Sequence, residues 1–230
     1  MDSERPEQGV PVIEAAPIRN AATIILVRDA ETRPSVLMGQ RGRGAVFLPN
    51  KFVFPGGAVD AEDANVRLAG LPSERTVARL GAEAGGVEPE TLAVTAIREL
   101  WEETGLRLAR PGDWETAPPG WATFGAQPTG EGLEFFFRAI TPEGRPRRFD
   151  ARFFLASADA LLDGPDDHPP ASDELSHLSW VPLDEVRRLD LAFITELVLA
   201  ELARHLPRLD APDRVPFIRN DQIDNTVVWL

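Results

Sequence analysis

Arg98-Glu99-Leu100-Trp101-Glu102-Glu103-Thr104-Gly105-Leu106 is the stretch around which the chain is organised. Wound as a helix at about 100° per residue, it places Glu99, Glu102 and Glu103 at i, i+3 and i+4, on one face. Ile97, Leu100, Trp101 and Thr104 fall on the opposite face, which can pack. Gly105 is placed to end the helix, because it takes the left-handed conformation at no steric cost. Three like charges on one stripe repel, each neighbouring pair by roughly a few tenths of a kcal/mol. A divalent cation would relieve that repulsion. Mg²⁺ prefers carboxylate oxygens, keeps several waters and commonly bridges to substrate phosphates. Arg98 flanks the stripe and could orient a carboxylate by a bidentate contact. The plain alternative is a solvated acidic face, which is common on helices.

The stretch Phe54-Pro55-Gly56-Gly57-Ala58-Val59-Asp60 changes the balance. Alone it reads as a tight turn after a strand. Together the two segments resemble the signature of the Nudix hydrolases: a Gly, five residues, a Glu, seven residues, then R-E-U-x-E-E-x-G-U, with U aliphatic. Arg98 to Leu106 matches the second half at every specified position, and Gly57 matches the opening Gly. The sixth residue after Gly57 is Asp63, where the pattern has Glu, and a long segment follows before Arg98. Glu90 lies at the pattern's spacing from Arg98, but Ala84 then falls where the opening Gly belongs. Glu90 is also about 180° round the helix from the carboxylate stripe, and reads as a first-turn acid suited to the helix dipole. The motif is therefore interrupted by an insertion, about 64–88, and is not shifted in register.

The resemblance implies an α/β fold, the Nudix α/β/α sandwich with a mixed β-sheet, over residues 21–206. It implies a metal-dependent hydrolase that cleaves the diphosphate linkage of a nucleoside diphosphate derivative. Glu99, Glu102 and Glu103 would hold Mg²⁺ or Mn²⁺, Glu99 would also polarise water, and Arg98 would orient them. Gly56 and Gly57 would let the backbone approach metal or phosphates closely. Asp63 could take a peripheral carboxylate role. Glu174 is the candidate for a separate general base, its alternative being an ordinary loop acid. His168, His177 and His205 lack metal-ligand spacing.

The substrate is approached through Arg41. The Nudix coenzyme A diphosphatases carry a further motif ahead of F-P-G-G, of which Leu37 and Arg41 match while Gly39, Gly42, Val46 and Asn50 depart. The runs Val36 to Arg41, Phe47 to Asp60 and Arg148 to Phe154 are similar to the peroxisomal branch of those enzymes, where the signature is itself interrupted. That resemblance implies coenzyme A or acyl-CoA, with Arg41 pairing the 3′-phosphate or serving only as a surface residue. ADP-ribose and dinucleoside polyphosphates are the alternatives. A non-catalytic ligand sensor is a further one, although sensors usually lose box carboxylates. An isomerase on this fold would need a cysteine, and the chain has none. A plain acidic scaffold would not need F-P-G-G.

Composition narrows the class. The net charge of −13 argues against duplex nucleic acid as a partner, and means that an anionic substrate must meet local arginines and metal. Without cysteine there is no disulfide framework, thiolate zinc site or cysteine nucleophile. No apolar run approaches the ~18 residues that span a membrane, and the acidic N-terminus does not resemble a signal peptide. A cytoplasmic protein, perhaps paired as a homodimer, is expected.

Along the chain, residues 1–20 are rich in Pro and charge and are expected to fray. Strands are expected at Ala21 to Asp29, Ser35 to Arg41 and Phe52 to Phe54. Further strands are expected at Trp121 to Phe124, Leu133 to Ile140, Arg147 to Ala156 and Leu175 to Val181. Helices are expected within Pro72 to Ala84, from Pro89, from Pro182 and over Ile194 to Leu206. The tail, residues 207–230, has no clear period and is expected to pack on the domain.

Overall fold

The computed structural model describes residues 16–166, 174–220 and 226–230. The chain runs β1 (Ile18–Arg28), β2 (Ser35–Arg41), β3 (Phe52–Val53), β4 (Gly56–Ala58), α1 (Glu74–Ala82) and α2 (Pro89–Thr104). It continues through β5 (Ala109–Arg110), β6 (Gln127–Pro128), β7 (Glu134–Ile140), β8 (Arg148–Ser157), β9 (Leu175–Pro182), α3 (Phe193–His205), β10 (Pro216–Arg219) and β11 (Thr226–Trp229). One sheet has the order β11-β10-β7-β8-β1-β2-β3, with β4 on β1 and β9 on β2. It is mixed: β8 runs parallel to β1 and antiparallel to β7.

Strand alternation sends successive side chains to opposite faces, so β1 builds two cores. Ala22, Ile24 and Leu26 meet α2 through Leu92, Ala93 and Ile97 on one face. Ile25 and Val27 meet α3 through Val198, Leu199 and Leu202 on the other. This is the expected α/β/α sandwich. Among the described residues no helix is long and apolar enough to cross a membrane.

Between Asp63 and α2 the intervening segment forms α1, whose cap Ser73 accepts from the Thr76 N–H at 3.3 Å. It is fastened to the sheet by a buried polar cluster. Arg138 forms a bidentate pair with Asp150 at 2.9 and 2.7 Å and donates to the Glu83 carbonyl. Arg152, 1% exposed, donates to the Ala84 carbonyl at 3.0 Å and to Asn20. Burial pulls the Arg152 guanidinium down to about 10, against the raising effect of Asp150.

Four local expectations need correction. β1 begins at Ile18, because Ile18 to Asn20 already pair with Arg148 to Asp150. Trp121 to Phe124 is no strand: a 3-10 turn at Pro119–Trp121 lets Trp121 and Phe124 bury together. The helix expected from Pro182 shrinks to a 3-10 turn at Val186–Arg188, since Leu189 is extended and Leu191 bridges Phe52. The tail is no mere packing segment, because β10 extends the sheet alongside β7. Its partner is distant in sequence, so it leaves no local period. β4 pairs with β1 through Ala21 to Thr23, and was foreseen only as a turn.

Asp150→Ala leaves two arginines buried without their counter-charge, so it should cost about 3–5 kcal/mol. Equilibrium urea unfolding measures this, and a loss under about 1 kcal/mol would show that the cluster does not hold the insertion down.

Candidate active site

The core sequence of α2 dictates how the site is presented. Pro89 takes the first helical position and Gly105, at φ 76°, ends the helix with its N–H on the Trp101 carbonyl. Ile97, Leu100 and Thr104 are fully buried and fix the helix's rotation. The carboxylate stripe then faces the Phe54-Pro55-Gly56-Gly57 segment. The Gly56 N–H donates to the Glu103 carboxylate at 2.9 Å. A Cβ on Gly57 would lie on the Glu99 carboxylate, 2.5 Å from Cδ. A Cβ on Gly56 would meet the Ala22 carbonyl and the Thr23 backbone at 2.7 Å. Both glycines are therefore demanded by close approach.

Arg98 is the joint of the site. Its Nε and Nη2 hold Asp63 at 2.8 and 3.1 Å, and its Nη2 also reaches the Ala58 carbonyl at 2.9 Å. Its Nη1 donates to Glu99 at 2.8 Å and to Glu102 at 2.9 Å. Asp63, 1% exposed, also accepts from Thr95 and from the Asp60 N–H. Asp63 thus fills the position of the missing Glu as the seat of the arginine. The side chain is shorter, but its η-turn is drawn up against α2, and the insertion begins only after it. Glu90 points elsewhere: it accepts from the Leu68 N–H at 3.2 Å and pairs Arg67, holding the insertion.

The stripe's charge is unbalanced. Burial pushes the Glu103 carboxyl up to about 8, against the Gly56 bond and with repulsion from Glu99; the Arg41 charge lowers it. Burial also pushes Glu99 up to about 7, with Arg98 opposing and Glu102 and Glu174 adding to the rise. Two buried carboxyls held so high would be met by a hard cation, and the donors are all oxygen. Among the described residues no three acidic or histidine side chains yet converge closely enough to hold a metal ion. Arg98 Nη1 stands between Glu99 and Glu102, and Glu103 is turned to Gly56. Glu102 is half-exposed and free to re-aim. The donor set therefore fits Mg²⁺ or Mn²⁺ in chemistry, with Glu102 as the side chain that must move.

Arg41, at the end of β2, Gly56, Gly57 and Glu174 open onto the same groove, of about 2040 Å³, as Arg98 and the three glutamates. The Nε of Arg41 is buried without a hydrogen-bond partner. Glu174 is exposed and contributes its charge to Glu99 and Glu103. His205 Nε2 lies 2.9 Å from the Asp210 carbonyl, and its ring packs edge-on to Phe136, a structural position. His177 is exposed beside Ser176. His168 lies outside the described residues. The sequence did not point to Trp101 as a wall of the groove. It is the outermost ring of an aromatic cluster, 5.2 Å from Phe124 and 6.3 Å from Trp121.

A carboxylate-striped helix locked by a buried arginine to a glycine turn, on a mixed sheet between helices, defines a class of fold and site that the comparisons identify. A family model for the NUDIX domain matches residues 73–202, and the chain belongs to that family. It is 31% identical over 179 residues to a Caenorhabditis elegans protein bearing the name nudix hydrolase 7, covering 71% of this chain and 51% of that protein. The chain thus spans about half the length of that relative. It also resembles the crystal structure of a NUDIX hydrolase from Alicyclobacillus acidocaldarius, with a TM-score of 0.62 and 31% identity, over 80% of this chain and 90% of that one.

The raised carboxyls give a signed pH effect. A carboxyl whose folded pKa exceeds its unfolded value near 4.5 binds more protons in the folded state between those values, so metal-free stability falls as pH rises from about 4.5 to about 8. Glu103→Gln should flatten that fall, raising Tm at pH 8 relative to wild type and changing it little at pH 4.5. Thermal melts in chelator across this range measure it, and an unchanged slope would contradict the account of Glu103.

Proposed function

We propose that the chain is a metal-dependent hydrolase that cleaves the diphosphate linkage of a nucleoside diphosphate derivative. The observation that carries this is the buried Glu103–Glu99 pair, held high by burial next to a glycine turn that leaves room for a ligand. Nudix hydrolases generally use divalent metal ions. Bound at Glu99, Glu102 and Glu103, such an ion supplies charge neutralisation and a water of lowered pKa.

The protein's own groups do the rest. Arg98, pinned by Asp63, fixes the Glu99 and Glu102 side chains. The Gly56 N–H orients Glu103. Arg41, whose charge reaches Glu103, is placed to meet the anionic diphosphate at this end of the groove. Glu174 borders the same space, where it can take a proton from the attacking water. Coenzyme A or acyl-CoA is the favoured substrate on the resemblance of the Val36 to Arg41 and Phe47 to Asp60 runs. ADP-ribose and dinucleoside polyphosphates share the reacting group.

A screen of these compounds with Mg²⁺ and with Mn²⁺ should find turnover that is lost in excess chelator. Glu102→Gln should lower kcat by at least about 100-fold with the fold intact, because the half-exposed Glu102 packs against nothing. Full activity in Glu102→Gln or in chelator would remove the metal site from the account. Arg41→Ala should lower kcat/KM about 10- to 100-fold, for loss of a charge-assisted contact, and equally for coenzyme A and its 3′-dephospho form. A loss confined to coenzyme A would place Arg41 at the 3′-phosphate.

A further inference from the structure

The chain carries 37 acidic against 24 basic residues, so an arginine on its surface ordinarily has a carboxylate within reach. Among the described residues the side chains of Arg19, Arg41, Arg145 and Arg147 have neither an ion pair nor a hydrogen-bonded partner, and all four border the one groove. Arg41 belongs to the carboxylate end. The other three lie at the opposite end, and strand register locates them.

The groove's floor is one face of β1, β8 and β7. Thr23, Ala21 and Arg19 project to it from β1, and Phe153, Ala151, Phe149 and Arg147 from β8, with the pairs Thr23↔Phe153, Ala21↔Ala151 and Arg19↔Phe149. Ala139 adds to it opposite Ala151. Thr23 is the partner of Gly56, whose N–H holds Glu103. Arg19 is four residues along the same strand, about 13 Å away at ~3.3 Å per residue. Between these two ends the floor is alanine, which leaves depth for a ligand. At the far end Phe47 packs edge-on to Phe149, with ring centroids 5.2 Å apart, giving an apolar surface beside the arginines. Asp60, the acid in register across β4, is turned to Arg98 at 3.8 Å.

We propose that Arg19, Arg145 and Arg147 form a second anion site, which takes a phosphomonoester of the substrate separate from the diphosphate, while the Phe47–Phe149 surface supports the adjoining nucleoside. The proposal rests on the nucleoside diphosphate function of the groove and narrows its substrate class to one with an additional terminal phosphate. It also assigns the two arginine roles to opposite ends: Arg41 to the diphosphate, Arg19 and Arg147 to the remote phosphate. Guanidinium groups suit this task because their planar fork pairs phosphate oxygens two at a time.

The test is equilibrium binding to the full chain of adenosine 3′,5′-bisphosphate and of adenosine 5′-phosphate. Wild type should bind the bisphosphate about 10- to 100-fold more tightly, with an advantage that shrinks as salt rises. In Arg19→Gln/Arg147→Gln the advantage should disappear while 5′-phosphate affinity is unchanged. Arg145→Gln, confined to an exposed turn, should show the same selective loss in smaller degree, and stands in if the double variant does not fold. Equal affinities in wild type, or an advantage retained in the variants, would overturn the second site. Turnover of ADP-ribose, which has no such phosphate, should be unaltered in the same variants. If wild type prefers the bisphosphate yet hydrolyses no nucleoside diphosphate derivative, the anion site stands and the hydrolase function falls.

Discussion

The site depends on one buried ion pair, Arg98 on Asp63. Its two residues lie on opposite sides of the insertion, and their contact is what reassembles an interrupted motif. The pair is nearly inaccessible to solvent, with side-chain exposures of 10% and 1%. In such surroundings removing one partner leaves an uncompensated charge, which is far costlier than the net worth of the pair. Asp63 is satisfied on every side, by Arg98, Thr95 and the Asp60 N–H, so its negative charge is already spent locally. Arg98's remaining nitrogen is thereby free to order Glu99 and Glu102.

What that ordering leaves is an excess of negative charge at one end of a groove and an excess of positive charge at the other. The acidic end is buried and strained electrostatically, with Glu103 and Glu99 held above the ordinary carboxyl range. The arginine end is exposed and unpaired. In a strongly acidic chain this polarity is a device for admitting an anion that the general field repels. A metal ion at the first end and guanidinium groups at the second would hold an extended polyanion at both extremities. The alanine floor between them keeps the backbone low enough for it to lie flat.

The catalytic helix was legible because its information is local. Pro89, the carboxylate spacing and Gly105 fixed its limits and its faces, and the side chains lie as the helical period requires. The register of the interrupted motif was also legible, since Ala84 could not replace a glycine that must clear the Glu99 carboxylate. The seat of Arg98 was only half visible. Asp63 stood at the right position, but nothing local showed that a shorter acid would reach once its turn was drawn against α2. β10 was not legible, because its pairing with β7 joins residues far apart in sequence. The same is true of Arg19 and Arg147, which become neighbours only through the parallel register of β1 and β8. Trp121 and Phe124 read as strand residues by composition. Their spacing of three suits a helical turn just as well, and packing against Trp101 decided the matter.

The central claim is that the α2 carboxylates hold a divalent cation. Titration of Mn²⁺ into the full chain, followed by the loss of the free-ion electron paramagnetic resonance signal, tests it without requiring any substrate. The account predicts saturable binding in wild type that weakens at least about 10-fold in Glu103→Gln, through loss of a charged oxygen ligand. Binding of equal strength in the two proteins would contradict it.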